Sequence, residues 1–113
     1  MTFEYSPAPE STAIVDISAQ YGLFINGKFV DAKGSKTFNT INPATEKVLS
    51  KIAHAQASDV DKAVAAARTA YTKVWSKMAP QERGKYLFRI ARIMQERARE
   101  FAVLETMDNG KPI

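Results

Sequence analysis

Pro80-Gln-Glu-Arg-Gly-Lys-Tyr-Leu-Phe-Arg-Ile-Ala-Arg-Ile-Met-Gln-Glu-Arg-Ala-Arg-Glu-Phe-Ala-Val-Leu-Glu-Thr-Met-Asp-Asn-Gly-Lys-Pro112 is the longest patterned run of the chain. It reads as helix almost throughout. Pro80 suits the first helical position, where its missing N–H costs nothing. Gln81 and Glu82 bring polarity and negative charge to the first turn, which the helix dipole favours. Leu87, Ile90, Ala91 and Met94 recur at helical spacing as one apolar stripe, and Ala98, Phe101, Ala102 and Leu104 form a second. Asn109-Gly110 offers a left-handed cap, and Pro112 cannot continue a helix. Two helices, or one kinked helix, therefore lie here, and both need something to pack on.

Working back from this run, the sequence first gives a helix and then strands. Ser58 with Asp61 resembles a capping box, and Val60, Val64, Ala67, Tyr71 and Val74 fall on one helical face. Leu23 to Val30 holds Asn26-Gly27 between two apolar runs, a two-residue hairpin turn in which both central residues need positive φ. Lys33-Gly34-Ser35 is a second turn. Thr37 to Ile41 alternates as a strand does, Asn42-Pro43-Ala44-Thr45 turns the chain, and Val48 to Ala53 returns it. The first half is thus expected to be two β-hairpins in series. Residues 1–20, with Pro7 and Pro9 breaking any period, read as a flexible lead-in from which Ile14, Val15 and Ile17 dock on a neighbour.

Composition narrows the function classes. At 45% hydrophobic and 25% charged, the 113 residues match one small globular domain, not a disordered or fibrous chain. No apolar run is long enough to span a bilayer. The first residues lack the basic and apolar regions of a secretory signal, which points to a cytoplasmic protein without a membrane partner. The absence of cysteine removes disulfides, thiolate metal sites and cysteine nucleophiles. Residues 1–57 carry five basic and five acidic side chains. Residues 58–113 carry eleven and seven, so the helical half holds the whole net charge of +4.

In order along the chain, Leu-Phe-Ile-Asn-Gly-Lys-Phe-Val, Phe-Asn-Thr-Ile-Asn-Pro-Ala-Thr-Glu-Lys-Val-Leu, Asp-Val-Asp-Lys-Ala-Val-Ala-Ala-Ala-Arg, then Trp75, Arg-Gly-Lys-Tyr-Leu and Leu-Glu-Thr-Met-Asp-Asn-Gly-Lys-Pro-Ile resemble the amino-terminal part of the NAD(P)-dependent aldehyde dehydrogenases. The resemblance covers roughly residues 21–113. It implies an α/β fold, the amino-terminal part of a Rossmann-like cofactor-binding domain, with two β-hairpins followed by two or three helices. It also implies that the helix from Pro80 is two helices breaking near Arg97. Family members are several times longer, and their cysteine nucleophile, general base, oxyanion donor and dinucleotide loops lie beyond this segment. The expectation is an opening fragment, scaffold without catalytic or cofactor-binding residues of its own. The whole enzyme would use a thiolate to attack an aldehyde, pass hydride to NAD or NADP, and hydrolyse the thioester to a carboxylic acid. Members are usually homo-oligomers. The alternative is a non-catalytic binding or assembly module that keeps the scaffold.

Four features were candidates for chemistry. Asp108 places a carboxylate in the last turn of a helix, where a nearby cation would offset the dipole penalty. The resemblance implies a structural Na+ or K+ held by Asp108 and main-chain carbonyls of Thr40 and Ile41, against the plainer reading of a solvated helix end. His54 with Ser50, Ser58 and Asp59 invites a triad, but nothing in the sequence fixes its geometry, and a solvated His at a strand end is the simpler account. Arg83, Lys85, Arg89, Arg92, Arg97 and Arg99 suggest nucleic acid, yet Glu82, Glu96 and Glu100 are interspersed, which describes a solvated face and no nucleic-acid partner. The five glycines form neither G-x-G nor a P-loop. Tyr71, Trp75, Tyr86, Phe88 and Phe101 read as packing residues.

Overall fold

The computed structural model describes residues 11–113. Five strands come first and three helices follow. They are β1 (Gln20–Tyr21), β2 (Leu23–Ile25), β3 (Lys28–Val30), β4 (Thr37–Ile41), β5 (Val48–Ala53), α1 (Ala57–Lys73), α2 (Pro80–Glu96) and α3 (Ala98–Asn109). Both hairpins form. β2 and β3 pair around Asn26 (φ 52°) and Gly27 (φ 75°), the positive pair that the Asn-Gly turn requires. β4 and β5 pair antiparallel, with a bulge between Thr40 and Ile41. The connecting turn is built as its composition dictates. Asn42 Oδ1 accepts from the Ala44 N–H at 2.9 Å, and the Glu46 N–H closes on the Asn42 carbonyl at 2.8 Å.

The structure adds a strand to the two-hairpin reading. Gln20 and Tyr21 lie parallel to Lys51 and Ile52, giving a three-stranded sheet of order β1-β5-β4. A parallel partner remote in sequence leaves no local signature, unlike a hairpin turn. The boundary drawn at residue 20 therefore falls inside β1. Residues 1–10 lie outside the described part. Residues 12–14 form a 3-10 turn beside α3; of the three residues expected to dock, Val15 and Ile17 are half-buried, Ile17 lining a cleft with α3, while Ile14 stays exposed. Ser50 Oγ donates to the Ser18 carbonyl at 2.8 Å, and the Lys51 N–H donates to the Ala19 carbonyl at 3.0 Å.

Helix α1 starts two residues earlier than the Ser58–Asp61 pairing suggests. Gln56 is the N-cap, and Asp59, at the third helical position, reaches back to the Gln56 N–H at 2.9 Å. Ser58 Oγ is buried and has no partner among the described residues. Asp59 takes this role because its carboxylate also meets a second amide, that of Lys33. The break at Arg97 occurs as expected: its φ of −104° and ψ of 18° end α2 and begin α3. Gly110, with φ 77°, caps α3 in the left-handed conformation.

Packing is the unusual part. The radius of gyration is 19.1 Å, where a compact chain of this length has about 13 Å. The molecule is a slab of 69 × 40 × 18 Å. Among the described residues only Ala32, Ala53 and Val103 are buried apolar side chains. Helix α2 buries none of its residues. Leu87, Ile90 and Met94, its expected core stripe, are each more than half exposed. The aromatics expected to pack mostly do not: Tyr71, Tyr86 and Phe88 stay open, and the one ring contact of that set lies between Trp75 and Tyr86, 6.2 Å between centroids. Their spacing was read correctly.

Candidate functional site

The sheet and α3 enclose the best-formed hollow, a cleft of roughly 410 Å³. Its floor is Leu49, Ser50 and Ile52 of β5, with Thr40 of β4 beside them. Phe101, Leu104, Glu105 and Asp108 of α3 form the opposite wall. These four share a wall because positions three and four apart lie on one helix face. The turn after β4 also reaches the end of α3. A Cβ on Gly110 would stand 3.0 Å from Pro43 Cγ, so only a residue without a side chain lets the two segments approach this closely.

Of the three residues expected around a cation, Thr40 and Asp108 do line one cleft, from elements far apart in sequence. Ile41 does not line it, and its side chain is half exposed. The bulge between Thr40 and Ile41 interrupts the ladder at the two residues whose carbonyls are in question. Among the described residues no group of three or more His, Cys, Asp or Glu side chains could hold a metal ion. A divalent site built of side chains is therefore outside this donor set. One carboxylate supplemented by main-chain oxygens suits a weakly bound hard cation. Glu105 stands one turn before Asp108 and also lines this cleft. Glu105 Oε1 lies 3.7 Å from Lys111 Nζ.

The other candidates dissolve into structure. Ser50 Oγ is spent on Ser18, and Asp59 Oδ2 on two backbone amides. His54 is exposed, edge-on to Phe38 at 6.0 Å between ring centroids, and its carbonyl accepts from Gln56 Nε2. No triad is assembled from these groups. The basic face of α2 holds one aromatic, Phe88, in a surface hollow with Lys85, Arg89, Arg92 and Glu96. Glu82 pairs with Lys85 at 2.6 Å, and Arg97 forms a fork with Glu100, Nε to Oε2 2.7 Å. That fork raises the Arg97 pKa and lowers the Glu100 pKa, the hydrogen bond being the main cause in each. No helix of the described residues is long and apolar enough to cross a membrane. Gly27, Gly34 and Gly110 serve turns and a cap, and Gly22 faces the Val30 carbonyl, so none forms a phosphate cradle.

Strand pairs and helices in this order leave wide apolar faces open, and among the described residues no group of three or more His, Cys, Asp or Glu could hold a metal ion. Residues 29–113 match the model of the aldehyde dehydrogenase family, and the chain belongs to that family. It is 45% identical over 95 residues to cytosolic 10-formyltetrahydrofolate dehydrogenase of Xenopus tropicalis, covering 83% of this chain and 10% of that protein. It is 42% identical over 98 residues to aldehyde dehydrogenase (NAD(P)+) 1 of Saccharomyces cerevisiae, covering 87% and 19%. Among solved structures it is similar to the NAD+ complex of an aldehyde dehydrogenase from Bacillus cereus, with a TM-score of 0.79 at 47% identity, covering 82% of this chain and 19% of that one. It is also similar to an NAD-dependent aldehyde dehydrogenase from Sinorhizobium meliloti, with a TM-score of 0.81 at 33% identity, covering 96% and 22%. The chain spans a tenth to about a fifth of the length of these relatives. Its α/β fold is that of the amino-terminal cofactor-binding region of these enzymes.

Proposed function

We propose that this chain is the opening scaffold of a cytoplasmic, homo-oligomeric aldehyde dehydrogenase that oxidises an aldehyde to a carboxylic acid. The observation that carries this reading is the uncovered apolar surface of α1 and α2, in a chain whose relatives continue for several hundred residues more. A segment that kept the fold as a stand-alone binding module would be expected to cover or replace those side chains. The residues here supply position. The β4–β5 turn at Pro43 comes close to Gly110 at the end of α3, and α1 and α2 offer faces on which a later sheet packs. The nucleophile has to come from elsewhere, because none of the 113 residues is cysteine. NAD or NADP, when bound to the whole enzyme, accepts the hydride; no residue of this chain is assigned to it.

We also propose that Asp108, with main-chain carbonyls of Thr40 and Ile41, holds a structural Na+ or K+ in the whole enzyme. Support comes from Thr40 and Asp108 lining one cleft beside the bulge. The thermal midpoint of the whole enzyme in sodium or potassium against choline tests it, and equal midpoints would remove the idea.

The main reading is tested by the reading frame and by assay together. The frame should continue past Ile113 into polypeptide containing a cysteine, and the longer product should reduce NAD+ or NADP+ with propanal. The 113-residue chain alone should not. A frame that stops here, with no cysteine-bearing partner, would favour the binding or assembly module instead.

A further inference from the structure

Outside the cleft, one buried charged group is left without a role. Asp59 is 4% exposed, the only buried acid among the described residues. A single oxygen of its carboxylate, Oδ2, accepts two backbone N–H bonds. One comes from Gln56, the N-cap of its own helix, and one from Lys33, in the loop between β3 and β4, each at 2.9 Å. The two donors are 23 residues apart in sequence. Helix α1 otherwise meets the β2–β3 hairpin through a small contact with β2. Beside Asp59 lies a hollow lined by Ile25, Asn26, Lys28, Val30, Asp31 and Lys62, so hairpin and helix are not sealed by apolar packing there.

We propose that the Asp59 carboxylate is an acid-released fastener that locks the β3–β4 loop, and with it the β2–β3 hairpin, onto the start of α1. A carboxylate suits two convergent amide donors, and its protonated form accepts more weakly. A buried carboxyl without those amides would be costly, so the joint holds as a unit or opens as one. The charged groups facing it are Lys33 from the loop, Lys62 from α1, and Lys28 and Asp31 from the hairpin. Of these, Lys62 and Lys33 favour the ionised form. The Gln56 and Lys33 amides, in that order, together with Lys62 and Lys33, hold the Asp59 pKa below the ordinary aspartate value of 3.8. The sign follows. The contribution is complete above the unfolded pKa and is lost as pH falls through the lower, folded one.

Amide proton NMR of the chain between about pH 2 and pH 6 tests this directly. The Lys33 and Gln56 amide protons should move together, with one shared midpoint below 3.8. Asp59→Asn should abolish that titration and speed exchange of the Lys33 amide roughly tenfold, because a neutral acceptor replaces a charged one. Asp31→Asn should leave the shared midpoint in place. Two different midpoints, a titration that survives Asp59→Asn, or random-coil positions for both amides at neutral pH would overturn the proposal. So would a shared titration that Asp31→Asn removes.

Discussion

The strand half and the helix half of this chain are built on different terms. The strand half fixes its own pairings, although Phe24, Phe29 and Val48 stay more than half exposed. Its turns carry their own instructions in Asn26-Gly27 and Asn42-Pro43, and Ser50 and Asp59 tie distant segments together. The helix half has equally clear local signals, with Pro80 at the start of α2 and Gly110 at the end of α3, yet α2 buries no side chain. Secondary structure there is locally specified and tertiary structure is not. Hydrogen bonds inside a helix need no neighbour, whereas an apolar stripe contributes stability only when something covers it.

The comparison can be broken in four places, and the urea midpoint of the chain followed by circular dichroism reads each. Val103 of α3 is 2% exposed, so Val103→Asp should cost more than about 3 kcal/mol by burying an unpaired charge. A small effect would mean that α3 is not anchored. Gly110→Ala puts a Cβ against Pro43 in a left-handed backbone and should cost about 1–2 kcal/mol. Gly27→Ala has open space around it, so only the positive φ is strained and about 1 kcal/mol should be lost. Ile90→Glu on α2 should change the midpoint by no more than about 0.5 kcal/mol in this chain. The same substitution in the longer polypeptide should be severe, and this contrast is the sharpest expression of the difference between the halves.

What the sequence disclosed follows the same division. Both hairpins, the strand Val48 to Ala53 and the cap at Gly110 were legible because each rests on neighbours in the chain, whereas the break at Arg97 came from the family resemblance. β1 was not, because Gln20 and Tyr21 become a strand only by lying along Lys51 and Ile52. The cap of α1 was misplaced because Asp59 has two donors, one of them in a distant loop, and spacing alone favoured Ser58. Of the cation residues, Thr40 and Asp108 meet across one cleft while Ile41 does not line it. The aromatics Tyr71, Tyr86 and Phe88 were read as packing residues, and the structure leaves each of them more than half exposed.

The most direct test is amide hydrogen exchange on the monomeric 113-residue chain, comparing β4–β5 with α2. The account predicts that the Phe38 and Ile52 amides are protected while those from Leu87 to Met94 exchange within about tenfold of unstructured rates. Equal protection of α2 in a monomer would show that its apolar face is already covered, and the scaffold reading would fail.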